Sequence, residues 1–155
     1  MLQAPRASYV LPARSSGTRS KGTPVMIDLE FIRACAANAA ISLSSRGVDR
    51  WVRTSWESPG AGLRFRTVKY AFLGQLPPAT FSQIDPESDV ISSYFRWNLR
   101  LLRWVSSAAG RPLPWPQYAP LDNPRPIVDW LRQRRCTGEV PHVHAFTSSA
   151  VIACR

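Results

Sequence analysis

Residues 111–126, RPLPWPQYAPLDNPRP, place six prolines in sixteen positions. Proline lacks an amide N–H and clashes with the preceding helical turn, so this segment is neither helix nor central strand. Any fold for the chain must therefore accommodate a long extended stretch. Leu113, Trp115, Tyr118 and Leu121 give that stretch large apolar surfaces, so it is expected to pack across the domain. A free polyproline ligand is the alternative reading.

The chain on either side is periodic. SYVLPA (8–13) and PVMID (24–28) read as strands joined by a polar loop that contains Gly17 and Gly22. The spacing predicts a helix over 29–46, with Leu29, Ile32, Ala36, Ala39, Ala40 and Leu43 on one face, Asp28 as N-cap and Gly47 at the stop. VDRWVRTSW (48–56) reads as a strand closed by Pro59 and Gly60. Residues 63–73 fit either a strand or a helix, and 77–85 fit a short strand. Residues 89–108 give the longest helix, with Val90, Ile91, Tyr94, Phe95, Asn98, Leu101, Leu102 and Val105 as one face and Gly110 as its end. A short amphipathic helix over 127–135, a strand over 142–146 and the first turns of a helix over 147–155 complete the order. Such alternation predicts an α/β fold in a single domain spanning 1–155. The last helix stops after two turns, which suggests that the domain is partial. The face at 90–105 is then expected to lie unpartnered and to lower solubility.

A length of 155 residues suffices for one core, and an apolar content of 45% with six tryptophans excludes full disorder. The net charge is +10, and of the 20 cationic residues only Lys21 and Lys69 are lysines. Basicity of this size suits nucleic acid, an anionic membrane surface or a phosphorylated ligand. The arginines are scattered, however, and the tightest groups are Arg96/Arg100/Arg103 and Arg132/Arg134/Arg135. The run 89–109 is long enough to span a bilayer, but three arginines and Asn98 make spanning costly. No membrane span is expected; the helix is either surface-bound or buried. Cys35, Cys136 and Cys154 are odd in number and far apart, which argues for a reducing, cytoplasmic setting rather than a disulfide framework. Cys35 falls on the apolar helix face as a small core residue. Pro5, Arg6 and Pro12 interrupt residues 1–14, so no secretory leader is expected.

The loop between the first two strands carries the strongest chemical signal. RSSGTRSKGTP (14–24) combines hydroxyls, permissive backbone and cations, which is what wrapping an anion requires. Ser15, Ser16 and Thr18 supply hydroxyls, Gly17 and Gly22 let the backbone curl, and Arg19 or Lys21 supplies charge. It is not the G-x-x-x-x-G-K-[ST] loop, because Thr23 stands where that motif has Lys and a strand follows where that motif opens a helix. A polar hairpin that binds nothing is the competing reading.

SSGTRSKGTPVMID resembles the Ser/Thr/Gly-rich signature of the adenylate-forming (AMP-binding) superfamily, in the style of its phenylacetate–CoA ligase branch. Acyl-CoA synthetases, luciferases and peptide-synthetase adenylation domains share that signature. Ser15, Ser16, Gly17 and Thr18 match its first half, and Gly22 and Pro24 its second. Arg19 replaces the usual Thr or Ser, and Ser20 and Lys21 widen the spacing. The helix after the loop, the strand before Pro59-Gly60 and the later AFTSSAV segment also suit that family's large domain. The resemblance implies ATP-dependent activation of a carboxylic acid, with Mg²⁺ beside the phosphates and transfer of the acyl group to a thiol. It implies that Ser15, Ser16, Gly17, Thr18 and Gly22 cradle phosphate, with Lys21 as a charge partner. The family's acidic motif, ribose-binding Asp and late catalytic Lys have no counterpart in these residues, so the resemblance implies part of such a ligase, inactive by itself.

Other candidates have simpler readings. His142 and His144 alternate on a strand and share a side, but no third ligand stands at a complementary spacing. Asp85, Glu87 and Asp89 suit caps and helix-dipole partners. Ser148 and Ser149 lack the G-x-S-x-G elbow and read as a helix cap. From a different class of function, the alternative is a small basic interaction protein that uses its arginines and exposed tryptophans to bind nucleic acid or a protein partner.

Overall fold

The computed structural model describes residues 10–14, 23–48 and 51–154. Among them the chain is mixed α/β, with a four-stranded parallel sheet, a two-stranded antiparallel ribbon and five helices. The ribbon pairs β1 (Val10–Arg14) with β2 (Pro24–Asp28), in a register running from Val10 opposite Asp28 to Arg14 opposite Pro24.

Helix α1 (Leu29–Ser44) follows β2 without a break because Asp28 turns from extended backbone into an N-cap. Its carboxylate accepts the Phe31 amide at 2.6 Å, which satisfies one of the free first-turn N–H groups. Gly47, at φ 65°, reverses the chain after α1, and the Val48 amide then reaches back to the Leu43 carbonyl.

The parallel sheet has the order β5-β4-β3-β6. Strand β3 (Val52–Glu57) is central, β4 (Phe81–Ser82) and β5 (Gln117–Tyr118) are two residues long, and β6 (Pro141–Ala145) forms the other edge. Helix α2 (Ala61–Phe72) connects β3 to β4, so the ambiguous run after Gly60 is helix. Helix α4 (Arg125–Cys136) precedes β6 and helix α5 (Thr147–Ala153) follows it.

Alternation along β3 sends Val52, Thr54 and Trp56 to one face of the sheet. Trp56, Phe81, Ala79 and Ala119 pack there against Ile127 and Trp130 of α4. The Phe81 and Trp130 rings meet edge to face, with centroids 6.2 Å apart. Two side chains tie the short strands to β3. Thr54 Oγ1 donates to the Ala79 carbonyl, and Trp56 Nε1 donates to the Ala119 carbonyl, each at 2.7 Å. The proline-rich segment does cross the domain, contributing β5 and the buried Pro116 and Ala119. Tyr118 and Leu121, expected to pack, are exposed, because the two-residue edge strand buries only the positions around it.

Helix α3 (Ser93–Ala108) corrects the expectation of a helix from 89. Pro86 and a turn closed by the Asp85 carboxylate on the Glu87 amide occupy the preceding residues, and Ser92 Oγ accepts the Phe95 amide as the N-cap. The buried stripe is therefore Ile91, Phe95 and Leu99, packed on Leu63 of α2. Val90, Tyr94, Leu101 and Val105, expected on that face, are exposed. Cys35 is only partly buried. No helix among the described residues is long and apolar enough to cross a membrane.

Replacing Phe81, which is fully buried, tests the core. Phe81→Ala is expected to cost about 3–5 kcal/mol in urea unfolding, whereas Ile41→Ala on the exposed side of α1 changes stability by about 0.5 kcal/mol at most. Equal, small effects would contradict the packing.

Candidate functional site

The six residues singled out for phosphate binding, Ser15, Ser16, Gly17, Thr18, Lys21 and Gly22, lie outside the described residues. The strands that bracket them are described. Their pairing ends with Arg14 opposite Pro24, so both ends of the loop are held side by side. Strand β1 packs against α2, and β2 against α1.

Helix α2 lies on the face of the sheet opposite α4. The second face of β3 carries Arg53, Ser55 and Glu57, all buried. Strand β6 sets His142 opposite Arg53 and His144 opposite Ser55. Arg66 of α2 reaches this layer with a two-pronged contact to Glu57: Nε donates to Oε1 at 2.8 Å and Nη2 to Oε2 at 2.6 Å. Arg66 Nη1 also meets His144 Nε2. A Cβ added to Gly62 would stand 3.3 Å from Glu57 Oε2, so a glycine in the first turn of α2 allows its close approach to the carboxylate. That places a carboxylate at the positive end of the helix.

Arg53 is 4% exposed; its Nη2 donates to the Val48 carbonyl at 3.1 Å, while Nε and Nη1 have no hydrogen-bond partner among the described residues. The Trp51 ring lies 5.7 Å from His142. Burial lowers the pKa of His142, and the nearby Arg53 lowers it further. Burial and Arg66 do the same to His144. Burial also lowers the pKa of Lys69 and raises that of Tyr70.

The chemistry of this layer follows from its contacts. Both Glu57 oxygens are engaged by one guanidinium, and neutral His144 presents Nε2 to the same group. Neither side chain is free to take a proton from a substrate. Arg53, Arg66 and Lys69 outnumber Glu57 in the layer, so its field favours an anion.

The topology defines a second feature. The β3-to-β4 connection runs one way along the sheet with α2 on one face. The β5-to-β6 connection returns past β3 with α4 on the other face. The chain therefore diverges between β3 and β6, where open α/β sheets form a crevice at the carboxyl ends of the strands. Polar side chains collect there. Gln83 Nε2 donates to Ser149 Oγ at 2.8 Å, and Ser58 Oγ donates to Gln83 Oε1 at 3.2 Å. Ser149 is thus a buried link between α5 and the residue that follows β4, and neither it nor Ser148 is the cap of α5; Phe146 holds that position with no side-chain cap.

His142 and His144 do share a side, as their alternation predicts. Among the described residues no group of three or more His, Cys, Asp or Glu is placed to hold a metal ion. Asp89 and Glu87 pair loosely with Arg96 and Arg100, each at 3.8 Å. Sequence reasoning missed Glu57, Arg66 and Gln83. The signal for Glu57 was present: a central parallel strand normally reads as a continuous apolar run, and VRTSWE alternates charge with bulk.

Comparison of the chain with protein-family models, curated proteins and solved structures returned no match.

A histidine whose pKa is lower folded than unfolded binds fewer protons in the native state as pH falls below its usual value near 6.5. Its contribution to stability is present above that pH and lost below it. Urea midpoints should therefore drop between pH 7.5 and 5.5, and His144→Asn should make that drop shallower. An unchanged slope in the variant would contradict the burial of His144 beside Arg66.

Proposed function

We propose that this chain carries the polyphosphate-binding part of an ATP-dependent, carboxylate-activating ligase of the adenylate-forming type, in the style of the phenylacetate–CoA ligases. The observation that carries the reading is the in-register pairing of β1 with β2 around residues 15–23, running directly into α1. Strand, Ser/Thr/Gly-rich loop, strand and helix is the layout that the resemblance requires. A second support is the parallel α/β sheet that follows, with helices on both faces and a cation-rich layer beneath α2, the helix that β1 touches.

In this reading Ser15, Ser16, Gly17, Thr18 and Gly22 hold the β- and γ-phosphates of ATP through amides and hydroxyls, and Lys21 offsets their charge. Mg²⁺ would arrive on the nucleotide and neutralise the phosphate oxygens. In the complete reaction the acid's carboxylate attacks the α-phosphorus, the bond to the bridging oxygen breaks, and pyrophosphate leaves with those electrons. The step these residues serve in this reading is holding the polyphosphate; the transfer itself draws on the family's ribose-binding Asp and late Lys. A reducing cytoplasm suits its three free cysteines.

Mg·ATP and inorganic pyrophosphate are the direct probes. At ten times Kd, either should stabilise the protein by about 1.4 kcal/mol and broaden the ³¹P resonances of the β- and γ-phosphates. Ser16→Ala combined with Thr18→Ala should weaken binding at least tenfold. Melting that ignores both ligands at millimolar concentration would overturn the reading.

A further inference from the structure

The surface of α3 divides into three stripes. Phe95, Leu99 and Leu102 point into the protein. At 3.6 residues per turn, Tyr94, Trp97, Leu101, Trp104 and Val105 fall on a second arc, and all five are exposed, Trp97 at 68% and Trp104 at 71%. Arg96, Arg100, Arg103 and Ser107 form the third, beside the tryptophans. The helix contains no carboxylate. Val90, 82% exposed, extends the apolar surface one turn before it.

We propose that α3 docks this protein on an anionic phospholipid membrane, lying in the plane of the headgroups with the Trp97–Leu101–Trp104 stripe in the upper acyl region. The proposal is independent of the phosphate loop. Charge complementarity supports it: the whole chain carries +10, and the arginine stripe runs along one flank of the apolar stripe, where cations of an in-plane helix reach headgroup phosphates. Indole rings favour the same depth, where one edge is apolar and the other wet. Sixteen residues make a helix of about 24 Å, ample for lying flat. Beside the stripe, Arg100, Arg103, Trp104, Ser107, Trp115 and Glu87 line a shallow groove; its two guanidiniums outnumber the one carboxylate, and a headgroup phosphate suits these donors. Glu87 holds Arg100 only through an exposed 3.8 Å pair, which contributes little and is readily exchanged; Arg96, partly buried, pairs with Asp89 at 3.8 Å and donates to the Glu87 carbonyl at 3.2 Å. Leu101, Val105 and Val90 distinguish this surface from a nucleic-acid platform. Branched aliphatics add area to a lipid boundary but give bases nothing to stack on.

The test is co-sedimentation of the full chain with large unilamellar vesicles of phosphatidylcholine, with and without 30% phosphatidylserine as a chosen condition (roughly a plasma-membrane-like charge). Partitioning should rise at least tenfold with phosphatidylserine, and tryptophan emission should shift to the blue and be quenched by brominated acyl chains. Trp97→Ser with Trp104→Ser should cut partitioning at least tenfold, with circular dichroism unchanged because both side chains are exposed. Arg100→Gln with Arg103→Gln should flatten the dependence on phosphatidylserine. The proposal falls if neutral and anionic vesicles bind equally, or if the double tryptophan variant binds like the parent. It also falls if that variant instead loses binding to single-stranded DNA, or if sedimentation velocity shows a dimer that the variant abolishes.

Discussion

The two-pronged bond between Arg66 and Glu57 settles how the sheet is covered. Strand β3 is the centre of a parallel sheet, a position normally apolar on both faces. Here one face offers Val52, Thr54 and Trp56 to α4, and the other holds buried Arg53, Ser55 and Glu57. A carboxylate taken out of water costs several kcal/mol unless a partner meets it. Arg66 meets both oxygens, and to do so α2 must lie across that face with its first turn against the carboxylate. The contact selects one arrangement of α2 among those that hydrophobic packing alone would allow.

Much else follows from where α2 sits. It receives β1 on one side, packs Phe65 near Phe31 of α1 with ring centroids 6.4 Å apart, and takes α3 through Leu63. Arg64 of α2, buried, lies over the Tyr94 ring of α3 at 5.6 Å. These contacts take up the face of α3 turned toward α2 and reach the Tyr94 edge of its aromatic stripe, and Trp97 and Trp104 point outward. The same helix thus links the polar layer under the sheet, the ribbon that presents the Ser/Thr/Gly-rich loop and the exposed surface of α3. The phosphate-binding reading depends on the first two of these, and the membrane reading on the third.

Elements with a strong local signal were legible in the residues. Asp28 capping α1, the PVMID strand, the helix before Cys136 and the shared side of His142 and His144 all follow from spacing and turn chemistry. The fold class followed from the order of the elements. What escaped was set by distant partners. Within 63–73, LRFRTV alternates like a strand while the whole run also fits a helix; the contacts of Arg66 with Glu57 and of Leu63 with α3 favour the helix. The apolar residues of α3 cover two of its three stripes, so periodicity alone did not distinguish the core stripe from the exposed one; the start at Ser92 and the contact with Leu63 did. Ser149 looked like a cap because Ser often is one, and its partner Gln83 lies 66 positions away in the chain. The layer of Arg53, Glu57, Arg66 and His144 is assembled from three elements, which is why no contiguous motif announced it.

A double-mutant cycle on Glu57→Gln and Arg66→Met measures the junction directly. The side chains of Arg66 and Glu57 are 16% and 4% exposed, so their coupling is only weakly screened by water. The account predicts a coupling energy of about 1–3 kcal/mol in urea unfolding, with the double variant recovering part of the loss caused by Glu57→Gln. Losses that simply add, to within about 0.5 kcal/mol, would mean that α2 is held by something other than this pair.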